Sequence, residues 1–165
     1  LNQAVGEFSD RLEEKKLQII FDGSDKPGMI YADSRRMWRI IENLFQNICK
    51  YALEGTRVYL EMQVEGGRVI ASLKNISDRH MNLKGEELSE RFIRGDASRT
   101  TEGSGLGLYI AKNLTQAQHG EFQIRLDGDL FKILLDFPEY IRPVAEETID
   151  EKKKVNEEDS DKAEE

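Results

Sequence analysis

The 165-residue chain has one cysteine, Cys49, two histidines, His80 and His119, and three prolines. A lone cysteine excludes an internal disulfide framework, and with only two histidines to join it no cysteine-cluster metal site can be assembled. Cys49 is expected to be a small core residue, and a reducing, cytoplasmic setting fits. No apolar run approaches the ~20 residues that a bilayer-spanning helix needs. The first residue is Leu1 rather than Met, so the chain is expected to be a piece of a longer protein. A basic excess is also missing. The formal charge is −8, but residues 145–165 hold ten Asp/Glu against four Lys, so the tail carries −6 and residues 1–144 only −2. A nearly neutral body has neither the electrostatic footprint of a nucleic-acid binder nor a polybasic membrane anchor.

The 38% hydrophobic content is enough for one sizeable core, so one domain with appendages is expected. Val5, Phe8 and Leu12 predict a short amphipathic helix within residues 1–15, read as a linker from a preceding domain. Residues 17–21 predict a strand. Lys26-Pro27-Gly28 is turn chemistry, and residues 29–31 predict a brief extended segment. Asp33 or Ser34 is an N-cap candidate for a helix whose Met37, Ile40, Ile41, Leu44, Phe45 and Ile48 form one apolar stripe. Gly55 closes that helix. Residues 57–64 and 68–75 predict a hairpin around Glu65-Gly66-Gly67, and residues 122–126 and 130–137 a second around Asp127-Gly128-Asp129.

Between the hairpins, residues 76–104 show no sustained period and carry many charges, which predicts a long binding loop or lid. Leu106, Ile110 and Leu114 then predict one face of a helix ending before Gly120. The domain is expected to run over residues 16–143. Residues 144–165 have almost no apolar side chains and predict a disordered acidic tail.

Two constellations carry chemistry. Gly103, Gly105 and Gly107 run directly into the helix that begins near Leu106 and Leu108. Glycines permit close backbone approach, and the amides of a helix's first turn form an anion site. A plain loop-to-helix junction has the same pattern, and no Lys-Ser/Thr follows as in known phosphate loops; the lid upstream favours phosphate. On the first long helix, Asn43, Asn47, Lys50 and Tyr51 fall beside the apolar stripe, on the rim of the core. An amide oxygen, a cation and an aromatic ring on one edge suit a metal–triphosphate–base ligand, although a solvated helix face has the same spacing.

The stretch from Asp33 to Tyr51, DSRRMWRIIENLFQNICKY, resembles the N box of sensor histidine kinase catalytic domains, members of the GHKL ATPase superfamily. Residues 90–99, ERFIRGDASR, resemble their F box, and residues 103–112, GSGLGLYIAK, their second glycine box. His119-Gly120 and residues 127–132 match the domain's usual ending, so the likeness covers residues 17–138 in the family's order. It implies a Bergerat-type two-layer α/β sandwich, a mixed sheet packed on helices under a long ATP lid. It implies ATP and Mg²⁺ as ligands, with Asn47 on the metal, Lys50 and the lid residues Arg94 and Arg99 toward phosphate, and Tyr51 near adenine. The amides from Gly103 and Gly105 through Leu106, Gly107 and Leu108 would cradle the triphosphate, with Asn43, Asn47 and Arg94 nearest the chemistry.

Sister branches of the superfamily place a Glu four residues before the metal-binding Asn, as a general base. Here that position is Asn43, and an amide cannot serve as a base. The acceptor must then bring its own nucleophile, as a histidine does. Where the first glycine box has an Asp for the adenine amine, this strand ends with Lys74-Asn75-Ile76, so Asn75 takes the place with a neutral acceptor. Neither His80 nor His119 has phosphoacceptor context. The resemblance therefore implies transfer of the γ-phosphoryl group to a histidine on a dimerisation domain absent from this chain, then to a response regulator. The parent protein would be a homodimer, anchored in a membrane with this domain in the cytoplasm. The alternative is a nucleotide-poor regulatory module of the same fold that works through protein contacts, or a GHKL ATPase, which Asn43 disfavours.

Overall fold

The computed structural model describes residues 1–23, 28–78 and 106–142. The lid, the turn before Gly28 and the acidic tail lie for the most part outside them. Two short helices, α1 (Asn2–Glu7) and α2 (Ser9–Glu14), precede strand β1 (Gln18–Asp22). Helix α3 (Ser34–Tyr51) follows, then β2 (Arg57–Glu65), β3 (Arg68–Ile76), α4 (Leu106–Gln116), β4 (Glu121–Asp127) and β5 (Leu130–Pro138).

The five strands form one sheet in the order β1-β2-β3-β5-β4. β1 runs parallel to β2, with Gln18 opposite Arg57, and every other pairing is antiparallel. Both hairpins are closed by two-residue loops. Gly66 and Gly67 have φ of +57° and +73°, which matches strand twist at a cost only glycine avoids. In the second loop Gly128 alone takes a positive φ, +60°.

Strand alternation sorts the side chains. Val58, Leu60, Leu73, Phe131, Ile133, Leu135 and Phe137 are buried on one face, where each contributes about 1.5–3 kcal/mol by leaving water. On the other face Glu61 pairs with Lys74 and accepts from Ser72 Oγ at 2.9 Å. Those contacts, Lys74 first, hold the Glu61 carboxyl below the usual carboxylate range. Lys74 also stands directly opposite Lys132, so Glu61 offsets a like-charge cross-strand pair.

Helix α3 lies over the buried face with Ile40, Leu44, Phe45, Ile48 and Cys49 inward. This is the stripe its period predicts, and burial raises the Cys49 thiol's pKa. The amphipathic N-terminal segment is two helices rather than one, divided at Phe8. Ala4, Phe8 and Leu12 enter the same core as α3, with the Phe8 and Phe45 rings 5.5 Å apart. Residues 29–31 form no strand. Their backbone is instead held from outside the sheet, where Tyr140 N donates to Met29 O at 2.7 Å.

Helix α4 packs beside α3, but its buried face differs from the one its leucines suggest. Leu108, Ala111 and Thr115 point inward, whereas Leu106 is 45% exposed. Thr115 is tolerated there because its hydroxyl donates to Ala111 O at 2.8 Å. Gln118 joins the two helices: its side-chain oxygen accepts from Asp33 N at 2.8 Å and its nitrogen donates to Leu114 O at 3.1 Å.

α4 ends in a left-handed turn at His119 (φ +61°), where His119 N donates to Gln116 O and Gly120 N to Thr115 O. This is a helix-capping role. A Cβ on Gly120 would sit 2.4 Å from Phe137 Cε1 and 2.9 Å from Thr115 Cγ2. Gly120→Ala is therefore expected to lower unfolding free energy by about 1–3 kcal/mol, read from urea denaturation.

Candidate functional site

The candidate residues gather at one end of the sheet, where α3 ends, β3 ends and α4 begins. α3 starts under Asp33, whose carboxylate accepts from Arg35 N at 2.8 Å and Arg36 N at 3.0 Å. Those bonds, the Arg36 amide first, hold its pKa below the ordinary range. With the start fixed and one stripe buried, Asn43 and Asn47 fall half-buried on the rim and Lys50 is exposed near the end. Lys50 Nζ lies 5.1 Å from the centre of the half-buried Tyr51 ring.

The last turn of α3 is tied to the exit of β3. Asp78 N donates to Tyr51 O at 2.8 Å, Leu53 N donates to Ile76 O at 2.9 Å, and Ala52 bridges Ser77. These bonds bring Tyr51 next to the strand that carries Asn75. Asn75 is buried, on the helix-facing side, with Val58 and Phe131 as its cross-strand neighbours. Its Nδ2 donates to Ile76 O at 3.0 Å, so the amide nitrogen already has an acceptor in the backbone.

α4 closes the third side. A Cβ on Gly107 would meet Asn43 Oδ1 at 3.0 Å, so the first turn of α4 abuts the rim of α3. Asn43 is turned that way because its Nδ2 donates to Arg39 O, one turn back, at 2.6 Å. Leu108 is buried in the core and Leu106 is exposed; only their backbone amides belong to the helix's first turn. The first turn of a helix has N–H groups without partners inside the helix and carries the positive end of its dipole.

The structure thus brings Asn43, Asn47, Lys50, Tyr51, Asn75, Leu106, Gly107 and Leu108 to one end of the fold. Arg94, Arg99, Gly103, Gly105 and His80 lie outside the described residues. Among the described residues, no group of three or more His, Cys, Asp or Glu could hold a metal by itself. Side-chain amide oxygens are among the donors that hard cations take. Asn47 brings such a group, half-buried, to the rim. Sequence reasoning missed Lys15, which reaches the end of α3 from the N-terminal segment; a lysine closing a short helix is the only sequence signal for it.

Residues 32–141 match the family of histidine kinase-, DNA gyrase B- and HSP90-like ATPases. The chain belongs to this family. Within it the relatives point to the histidine kinase branch. The probable sensor kinase SilS of Salmonella typhimurium is 30% identical over 140 residues, which are 79% of this chain and 27% of the relative. The swarming motility regulation sensor protein RssA of Serratia marcescens is 31% identical, over 81% of this chain and 29% of its own length. The chain thus spans less than a third of these relatives. The nucleotide-free catalytic domain of the histidine kinase ThkA has the same fold, with a TM-score of 0.71 at 19% identity, covering 83% of this chain and 88% of that one. Full-length ShkA in complex with AMPPNP matches at 25% identity and a TM-score of 0.69, over 87% of this chain and 30% of that one. The chain is a histidine kinase-type ATP-binding domain with a mixed five-stranded sheet under helices.

The close approach of Asn43 to Gly107, where α3 meets the first turn of α4, can be measured by a double-mutant cycle. Gly107→Ala is expected to be less favourable in the parent than in an Asn43→Ala background by about 1 kcal/mol, because only in the parent must the amide be displaced. Additive free energies of unfolding would show that the two residues do not touch.

Proposed function

We propose that this domain binds ATP with Mg²⁺ and donates the γ-phosphoryl group to a histidine on a dimerisation domain outside this chain, for relay to a response regulator. One observation carries the reading. The bonds at Tyr51, Leu53 and Ala52 and the contact of Gly107 with Asn43 put the N-box rim, Asn75 and the first turn of α4 around one end of the sheet. An adenine, a triphosphate and a divalent cation need such a set together.

The roles follow the family resemblance, and for Asn75 the hydrogen bonding of its side chain also supports one. Asn75 would offer its oxygen to the adenine amine, since its nitrogen is occupied by Ile76 O; Tyr51 would pack near the base. Lys50, the amides of Leu106, Gly107 and Leu108, and those of Gly103 and Gly105 would hold the phosphates. Asn47 would ligate Mg²⁺, which would supply neutralisation of phosphate charge. Arg94 and Arg99 would approach the terminal phosphate and stabilise charge as it shifts during transfer.

Asn43 supports the choice of acceptor. It stands where a general base would stand, yet its nitrogen is bonded to its own helix and its oxygen faces Gly107. An amide rather than a carboxylate at this position suits an imidazole acceptor, which is already nucleophilic. The acceptor histidine would lie on the preceding segment of a longer, homodimeric protein, with residues 1–15 as its link to residues 16–143 and residues 144–165 as an acidic tail. ThkA, one of the structural neighbours, has been solved in complex with the response regulator protein TrrA, which supports a response regulator as the downstream partner. Among the described residues no helix is long and apolar enough to cross a membrane; membrane anchoring and a cytoplasmic position of this domain are inferred for the parent protein.

Calorimetric titration with a non-hydrolysable ATP analogue tests the reading. The parent is expected to bind in a Mg²⁺-dependent manner, and Asn47→Ala to lose that dependence while its melting temperature stays within roughly 4 °C, the shift of about 1 kcal/mol. Absence of binding by the parent would favour a regulatory module that works through protein contacts. Equal Mg²⁺-dependent binding by Asn47→Ala would remove the metal assignment.

A further inference from the structure

Helix α3 ends without a capping glycine. Ala52, the residue after its last turn, is extended at φ −69° and ψ 140°, so the final carbonyls cannot be satisfied by a left-handed turn of the helix's own chain. They are satisfied from elsewhere. Lys15 Nζ donates to Lys50 O and to Ala52 O, both at 3.1 Å, across 35 and 37 residues of sequence. Between them, Tyr51 O accepts from Asp78 N.

Lys15 is placed for this by its own backbone. α2 ends with Lys16 in the left-handed region at φ +52°, with Lys16 N donating to Glu13 O and Leu17 N to Leu12 O, both at 2.8 Å. That turn aims Lys15 at α3, and Gly55 N donates back to Lys15 O at 3.0 Å. An ammonium at a helix C-terminus also meets the negative end of the dipole. Lys16, by contrast, pairs with Glu54 at 2.8 Å while both side chains are mostly exposed, at 73% and 59%. An exposed pair of that kind contributes little.

We propose that Lys15 is a positioning residue for the nucleotide site: by holding the carbonyls on either side of Tyr51, it fixes where α3 presents Lys50 and Tyr51. The inference rests on the nucleotide-binding reading and extends it to a residue outside the site. It also makes the N-terminal segment part of the site's support. A displacement of α2 from α3 withdraws Lys15 and loosens the turn that carries Lys50 and Tyr51.

The test uses the full chain and three variants, Lys15→Met, Lys15→Gln and Lys15→Arg, with Lys16→Met as the control on the same turn. Affinity for a Mg²⁺-loaded non-hydrolysable ATP analogue is measured by calorimetry well below each melting temperature. Lys15→Met is expected to weaken binding about fivefold, the size of one helix-terminus charge interaction. Lys15→Arg should restore it, since a guanidinium can still bridge two carbonyls, and Lys16→Met should bind like the parent. A purely structural role would lower the melting temperature and leave the affinity of the folded protein unchanged. Lys15→Gln, a smaller change, takes the place of Lys15→Met where the latter does not fold.

Amide exchange at Asp78, whose N–H is bonded to Tyr51 O, is read in the same samples without nucleotide. It is expected to accelerate in Lys15→Met or Lys15→Gln and not in Lys16→Met. Parent-like affinity, or parent-like Asp78 exchange, in Lys15→Met or in the Lys15→Gln that replaces it overturns the inference. Failure of the parent itself to bind the analogue would overturn the nucleotide reading and, with it, the role assigned to Lys15.

Discussion

Everything at the candidate site depends on the burial of one stripe of α3. Ile40, Leu44, Phe45 and Ile48 enter the core, and that choice fixes the rotation of the helix about its axis. A helix that buries those four has no freedom left for Asn43 and Asn47, which fall on the rim beside them. Phe8 from the N-terminal segment and the inward strand residues pack around the same stripe. The polar edge therefore inherits its position from the most apolar part of the fold. A change that rotated α3 by one residue would take Asn43 away from Gly107 and leave the core unfilled.

The end of α3 shows a second dependence, of the opposite kind. Its last carbonyls are not closed by local turn chemistry but by Lys15 and by the amide of Asp78. Local caps make a helix end self-sufficient; distant ones make it conditional on the segments that supply them. Here those segments are the N-terminal helices on one side and the exit of β3 on the other. The exit of β3 also carries Asn75, so Asn75, Lys50 and Tyr51 share a frame built from backbone hydrogen bonds.

Much of this was legible in the residues. The 3.6-residue period of α3, the glycine-containing turns of both hairpins and the Asp33 cap announce themselves because each has a local physical cause. The order of the N-box, F-box and glycine-box motifs pointed to the family. What was not legible depends on tertiary contacts. Residues 106–111 at the start of α4 are apolar on every side, so periodicity could not choose between the face of Leu106 and the face of Leu108; tertiary packing buried Leu108, Ala111 and Thr115. The division of the first helix at Phe8 leaves no mark in its spacing. Nor does the use of Lys15 as a cap, since its acceptors lie more than thirty residues away.

The central claim is that this domain is a phosphoryl donor to a histidine it does not itself carry. It is tested most directly by incubating the chain with Mg²⁺ and γ-labelled ATP, alone and with a separately prepared dimerisation domain from the same protein. The account predicts no label on this chain and acid-labile label on the added domain only when the chain is present. Stable label on His80 or His119, or a dimerisation domain that stays unlabelled while the chain binds nucleotide, would contradict it.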